Sequence, residues 1–288
     1  METRPLGRTG HNSTVVIFGS AALWHADQAT ANNALDMAEA AGVNHIDVAP
    51  QYGNAEDVVG PWLTSRREKF FLGCKTLMRD KDAAWKQLHE SLEKLQTDHF
   101  DLYQLHAITT QDELDAAMGP GGAIEALQRA KDEGIVKNLG ITGHFKEVPK
   151  LHYEALQRFD FDTVMFPINP VLYAVPEYRA DAEKLLALCQ ERNVGVQVIK
   201  AIAKQPWADR SKAPYITWYE PYDIQEKVDM SVNFALSQPG VTGIPSAGDT
   251  KLLPMVLDAA SRFKPLSSEE QAALIAQSKE LEPLFQPG

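Results

Sequence analysis

Short apolar runs alternate along this chain with longer segments whose apolar residues recur at helical spacing. The runs are VVIFGSAALW (15–24), a buried strand entering a loop, then NHIDVA (44–49), FFLGCKT (70–76), FDLYQLH (100–106), VKNLGIT (136–142), TVMFPIN (163–169), VGVQVIK (194–200) and VTGIPSA (241–247). Near-continuous apolar character of this kind marks strands buried on both faces, as in parallel sheets. The segments between them predict helices over 30–41, 55–65, 80–98, 121–133, 146–158, 177–192 and 224–237, and two more close the chain over 251–262 and 268–280. Punctuation agrees with this reading. Gly42 and Gly134 stand where two helices should stop, and Asp80 or Asp82 is placed to cap a third, whose apolar stripe is Trp85, Leu88, Leu92 and Leu95.

Eight strand–helix units in unbroken alternation predict an α/β fold, a single (β/α)8 TIM barrel domain over residues 1–288. The opening 4–13, with its LGRTGHN turn, adds a short N-terminal β-hairpin. A doubly wound open sheet is the competing topology, but no GxGxxG fingerprint follows the first strand.

Composition narrows the function. The 288 residues are 44% hydrophobic and 23% charged, which fits a globular chain rather than a disordered one. A net charge of −11 argues against nucleic acid as a partner, since phosphate backbones demand basic patches. No apolar run reaches the roughly 20 residues of a membrane span, and METRPLGRTGHNS lacks the apolar core of a secretory signal, so a cytoplasmic location is expected. Two distant cysteines, Cys74 and Cys189, make neither a disulfide framework nor a zinc pattern, and the eight histidines form no HxH or HxxxH pair, so no metal site is expected.

The polar residues at the strand ends carry the chemistry. In a barrel these ends share one face. The second, third and fourth strands bring there Asp47 with Tyr52 just beyond, Lys75, and His106. Side chains alternate along a strand, so Ile46 and Val48 can face the helices while Asp47 faces the barrel axis. A buried carboxylate needs a cation and a buried ammonium needs an anion. Each answers the other. Singly, these residues read as an ion pair and ordinary rim residues; four at three adjacent strand ends suit carbonyl reduction. A phenol can protonate the oxygen that hydride addition leaves behind. Free tyrosine, with a pKa of about 10, is a weak acid for that task. A lysine about 4 Å away would stabilise the phenolate by about 4 kcal/mol at an effective dielectric of about 20, at most about three pKa units. Asp47 would keep Lys75 charged, and His106 would donate a hydrogen bond to the carbonyl oxygen or relay a proton.

IDVAPQYG, GCKT and SLEKLQTDHFDLYQLH resemble segments of the aldo-keto reductase family, as do RPLGRTG, ALQRAKDEGIVKNLGIT and VTGIPSAGDT. The resemblance spans nearly the whole chain. It implies a (β/α)8 barrel that reduces an aldehyde or ketone, or oxidises the alcohol, with the family's catalytic Asp, Tyr, Lys and His at Asp47, Tyr52, Lys75 and His106. NADPH is the implied cofactor and NADH the alternative, with contacts at Thr142, Asn169, Lys200, Ser246, Gly248, Asp249 and Lys251. Trp24 and His144 are the candidate substrate residues, and 204–222, rich in tryptophan and tyrosine, is a candidate cover for the cofactor.

The chain departs from the family where the cofactor is held. GITGH follows the fifth strand, so Thr142-Gly143 replaces the usual Ser-Asn, and Met165 stands for a glutamine. Ile199 replaces the aromatic residue that stacks on nicotinamide, with Lys200 next to it as a candidate for the pyrophosphate. Beyond IPSAG, Leu252, Met255 and Val256 replace the usual Arg and Glu-Asn, leaving Lys251, and Arg262 farther on, for a 2′-phosphate. These losses motivate a second function class, a cofactor-binding sensor with little turnover.

Overall fold

In the computed structural model, which describes residues 1–285, eight parallel strands close into a barrel. They are β1 (Val16–Gly19), β2 (His45–Asp47), β3 (Phe71–Thr76), β4 (Phe100–Leu105), β5 (Val136–Thr142), β6 (Thr163–Pro167), β7 (Gly195–Ile199) and β8 (Val241–Pro245). Each strand pairs with its neighbours in sequence, and β8 closes on β1 through Ile244↔Val16 and Pro245↔Ile17.

Alternation along the strands sorts the side chains into two layers. Ile46, Val48, Cys74, Tyr103, Leu105, Leu139, Ile141, Val164, Phe166, Val196 and Val198 belong to the core between barrel and helices. Their strand neighbours Asp47, Lys75, Gln104, Thr163 and Gln197 are also buried, and they are polar. The predicted hairpin is Thr3–Pro5 against Asn12–Thr14. It brings Leu6 onto Phe71 and Leu102 in a small apolar cluster, while Ser13 bonds His45 Nδ1 at 2.9 Å.

The predicted helices are present with ends shifted by a few residues, two of them starting earlier, at Gln28 and Pro176. Asp80 caps Lys81–Lys94 by accepting the amides of Asp82 and Ala83, and Gly42 and Gly134 have the positive φ of helix stops. The sequence reading passed over three elements. Gln111–Met118 is a helix opened by a Thr110/Glu113 capping box, Pro170–Tyr173 is a single turn capped by Asn169, and Ala203–Gln205 pairs with Glu220–Pro221 at the base of the long loop. The helix predicted from 251 starts at Leu253, because Asp249 caps a 3-10 turn over Thr250–Leu252 first. Among the described residues no helix is long and apolar enough to cross a membrane.

Candidate active site

Lys75 occupies the centre of the site. Its ammonium lies 2.6 Å from Asp47 Oδ2, 3.2 Å from Tyr52 Oη and 3.3 Å from the Val48 carbonyl. The β2–β3 register explains the meeting, since Asp47 pairs with Gly73, two residues before Lys75 on the same face. Tyr52 is delivered by a tight turn after β2. There Gly53, with φ +56°, lies so close to Trp24 that an added Cβ would stand 2.2 Å from the Trp24 carbonyl oxygen. Only glycine fits there. His106, just past β4, packs its ring edge-to-face on Tyr52 with centroids 5.8 Å apart. The four residues called from the sequence therefore converge.

Electrostatics departs from the sequence expectation at Tyr52. Burial pushes the phenol up, Lys75 pulls it down and Asp47 raises it again, leaving its pKa above the ordinary value. The lysine is closer than the assumed 4 Å, but desolvation outweighs it. Burial also opposes the Lys75 ammonium, yet Asp47 and Tyr52 together hold its pKa above normal. Burial drives His106 well below its usual value, helped by Lys75, Arg79 and Lys200. That direction favours the neutral imidazole, which donates a hydrogen bond from one ring nitrogen and accepts at the other.

Above these residues opens a cavity of 430 Å³ lined by Trp24, Gln51, Tyr52, Leu77, His106, Ala107, His144, Phe145, Lys200, Pro206, Trp218, Tyr219, Leu284 and Phe285. No carboxylate is among them. Backbone strain collects at its rim. Among the described residues five other than glycine have positive φ; Gln96 and Asn193 end helices, whereas Ala107 (+54°), Phe145 (+72°) and Lys200 (+59°) follow β4, β5 and β7 and line the cavity. Such conformations cost on the order of 1–3 kcal/mol each and persist where surrounding structure enforces them. At Lys200 the enforcement is visible, because the Asn169 amide and the Ala203 N–H both bond its carbonyl.

The sequence pattern of the Aldo/keto reductase family matches residues 15–215, more than two thirds of the chain. The chain belongs to that family. It is 26% identical over 316 aligned positions to the uncharacterized oxidoreductase YqkF of Bacillus subtilis, covering 97% of each protein. The NAD/NADP-dependent indole-3-acetaldehyde reductase of Schizosaccharomyces pombe is 33% identical over 161 positions, 55% of this chain and 53% of that one. In fold, the chain is similar to the holo form of aldo-keto reductase AKR11C1 from Bacillus halodurans, with a TM-score of 0.74, 24% identity, and 99% and 98% of the two chains covered.

As an aldo/keto reductase the chain is an oxidoreductase by class, in a family that typically uses nicotinamide cofactors. One departure from the family pattern, at Gly143, has a local physical reason. A Cβ on Gly143 would stand 2.6 Å from the Ile108 carbonyl oxygen and 2.8 Å from both Val148 methyls, so the helix Val148–Arg158 leaves no room for an asparagine. Thr142 spends its hydroxyl oxygen on the Ala107 amide. Asn169 is fully buried, capping Leu172 with its oxygen and donating to the Lys200 carbonyl.

The loop after β8 is similarly engaged. Ser246 Oγ accepts the Gly19 amide. Asp249 accepts the amides of Ile216 and Lys251, and Lys251 Nζ reaches the Pro214 carbonyl at 3.3 Å. Gly248 lies against Trp218 and Thr217. The long loop is thus fastened across 246–251. Of the two candidate substrate residues, Trp24 lines the cavity and meets Trp218 edge-on at 5.5 Å, and His144 accompanies Lys200 there. Gln51, Leu77, Phe145 and Phe285 were not singled out from sequence, although Gln51 adjoins Tyr52. Among the described residues no cluster of three or more His, Cys, Asp or Glu could hold a metal ion.

Proposed function

We propose that this chain reduces an aldehyde or ketone to the alcohol, with NADPH as the cofactor and NADH as the alternative. The observation that carries the reading is Lys75 bridging Asp47 and Tyr52 at the floor of an aromatic-walled cavity. The donor set suits a nicotinamide dinucleotide: apolar and aromatic walls for a ring, and among the described lining residues no carboxylate to repel phosphate. Backbone amides of 247–249, with Lys251, would hold the phosphates, and Asn169 and Thr142 would shape the wall beside the carboxamide. When bound, the reduced nicotinamide supplies the hydride.

The chain's own residues handle the proton. Tyr52, with its raised pKa, holds its proton at neutral pH and gives it to the carbonyl oxygen as negative charge develops there. The phenolate left behind faces the Lys75 ammonium at 3.2 Å, a gross attraction of about 5 kcal/mol at an effective dielectric of about 20. Asp47 fixes that ammonium, and neutral His106 orients the carbonyl by a hydrogen bond. Titrating the protein with NADPH and with NADH, read by energy transfer from Trp24 and Trp218, tests the cofactor; an aldehyde panel with wild type and Tyr52→Phe then tests the acid. Saturable micromolar binding and loss of turnover in the variant are expected. Binding of neither dinucleotide would end the proposal.

A second reading, a cofactor-binding sensor with little turnover, is favoured by the long loop fastened across 246–251. Rapid single-turnover hydride transfer to a simple aldehyde would dispose of it.

A further inference from the structure

Lys200 is not used by this mechanism, yet the fold spends strain to place it. Its backbone is left-handed, held by Asn169 and Ala203, and its side chain reaches the cavity of Tyr52 and His106. Its ammonium crosses the end of β6 to lie 3.0 Å from His144 Nδ1, beyond β5, and 5.8 Å from the centre of the Phe285 ring. It therefore leans towards β4 and β5 and away from the phosphate-binding candidates after β8. Among the described residues it forms no ion pair, and no carboxylate lines the cavity. Every other described residue of the wall is aromatic, apolar or a neutral amide or imidazole.

An ammonium in a partly buried wall whose described residues bring it no anion is a standing cost, removed when a ligand brings one. We propose that Lys200, backed by His144, is the anion-binding corner of the substrate pocket, and that the preferred substrates are carbonyl compounds carrying a carboxylate or similar anion about one ring away from the reacting carbon. The spacing follows from the site. The ammonium lies 3.0 Å from His144 Nδ1, and the His144 ring centroid lies 6.1 Å from that of His106. The aromatic residues Trp24, Phe145, Trp218 and Phe285 suit a flat or apolar body between the two groups. The inference rests on the reductase reading for the position of the carbonyl.

The experiment pairs 4-carboxybenzaldehyde with its neutral amide, 4-formylbenzamide, and compares kcat/KM for wild type, Lys200→Met, Lys200→Gln and Lys200→Arg. Wild type should favour the acid at least about tenfold, as expected of a charge-assisted hydrogen bond. Met and Gln should bring the ratio towards one, and Arg should keep much of it. A parallel titration with benzoate and benzamide, read by tryptophan fluorescence with and without NADP+, needs no turnover. Benzoate should bind wild type at least about tenfold more tightly than benzamide, and neutral variants should lose the difference. A wild type that does not discriminate, or neutral variants that discriminate as wild type does, would overturn the proposal. So would an unchanged benzoate affinity with a weakened NADPH affinity in the neutral variants, which assigns the ammonium to cofactor phosphates instead. If neither aldehyde is reduced, the reductase reading fails while the benzoate arm still decides this one.

Discussion

The side-chain amide of Gln51 meets the ring of His106, oxygen to Nδ1, at 3.0 Å. A neutral imidazole donates from one nitrogen and accepts at the other, so the group facing Nδ1 decides what Nε2 can do. An amide oxygen there takes the Nδ1 proton and leaves Nε2 bare; an amide nitrogen there leaves Nε2 as the donor. The hydrogen bond proposed from His106 to the carbonyl oxygen therefore requires the Gln51 amide turned over, with its nitrogen facing Nδ1, and a glutamine can present either atom. Gln51→Glu can present only oxygen, so at a pH high enough to keep the imidazole neutral beside the new carboxylate it should lock Nε2 as an acceptor and lower kcat about tenfold or more, whereas Gln51→Leu should act more mildly. Ring 15N shifts of His106 report the tautomer, and a glutamate variant with wild-type kcat would refute this selection.

Tyr52→Phe keeps the ring that packs on His106 and removes only the hydroxyl. The expected loss in kcat is on the order of 10²–10⁴, with the melting temperature within a few degrees of wild type. Steady-state kinetics on one aldehyde and a thermal scan are sufficient. Turnover within tenfold of wild type would place the proton donor elsewhere.

The Asp47–Lys75 pair is buried on both sides, with side chains 4% and 1% exposed. Removing one member strands the other charge, so Lys75→Met alone should cost about 3–5 kcal/mol in urea unfolding. Asp47→Asn combined with Lys75→Met should recover much of that loss while remaining inactive. A double variant as unstable as the sum of the singles would mean the two charges are not coupled.

Lys200 has its pKa pushed down by burial to about 7. Its titratable neighbours are His144, from the loop after β5, and His106, just past β4, both also held below normal by burial. Below pH 7 the lysine is charged in the folded and unfolded chains alike, so the cost of burying it is fully present. Above pH 7 the folded lysine releases its proton while the unfolded one keeps it up to about 10.5, and stability rises with pH. Lys200→Met should therefore melt higher than wild type at pH 6, and the gap should shrink towards pH 9.5. A gap independent of pH would show that the lysine is not desolvated.

Much of the barrel and of its catalytic centre could be read from the chain. The strands are continuous apolar runs, and the polar residues interrupting them, Asp47 and Lys75, meet because side-chain alternation and strand register leave them no other direction. Charge balance was harder to read. The sequence shows a lysine beside a tyrosine, but not that burial raises the phenol more than the ammonium lowers it. The helix Gln111–Met118 was passed over although its Thr110–Glu113 box is written in the sequence, because eight residues show too little periodicity to stand out. The direction of Lys200 was beyond reach. It depends on a positive φ at a non-glycine residue, which local preference disfavours and only the surrounding fold imposes.

Ala107, Phe145 and Lys200 share that condition, and it bears on how such a cavity can change over generations. Glycine at any of the three would relax the backbone and spare the chain a conformational cost, yet it would also release the wall that the residue holds in place. Drift towards a more robust protein and retention of a particular cavity therefore pull in opposite directions at these three positions. A search for altered substrate choice should begin there, where the rest of the barrel has least to lose.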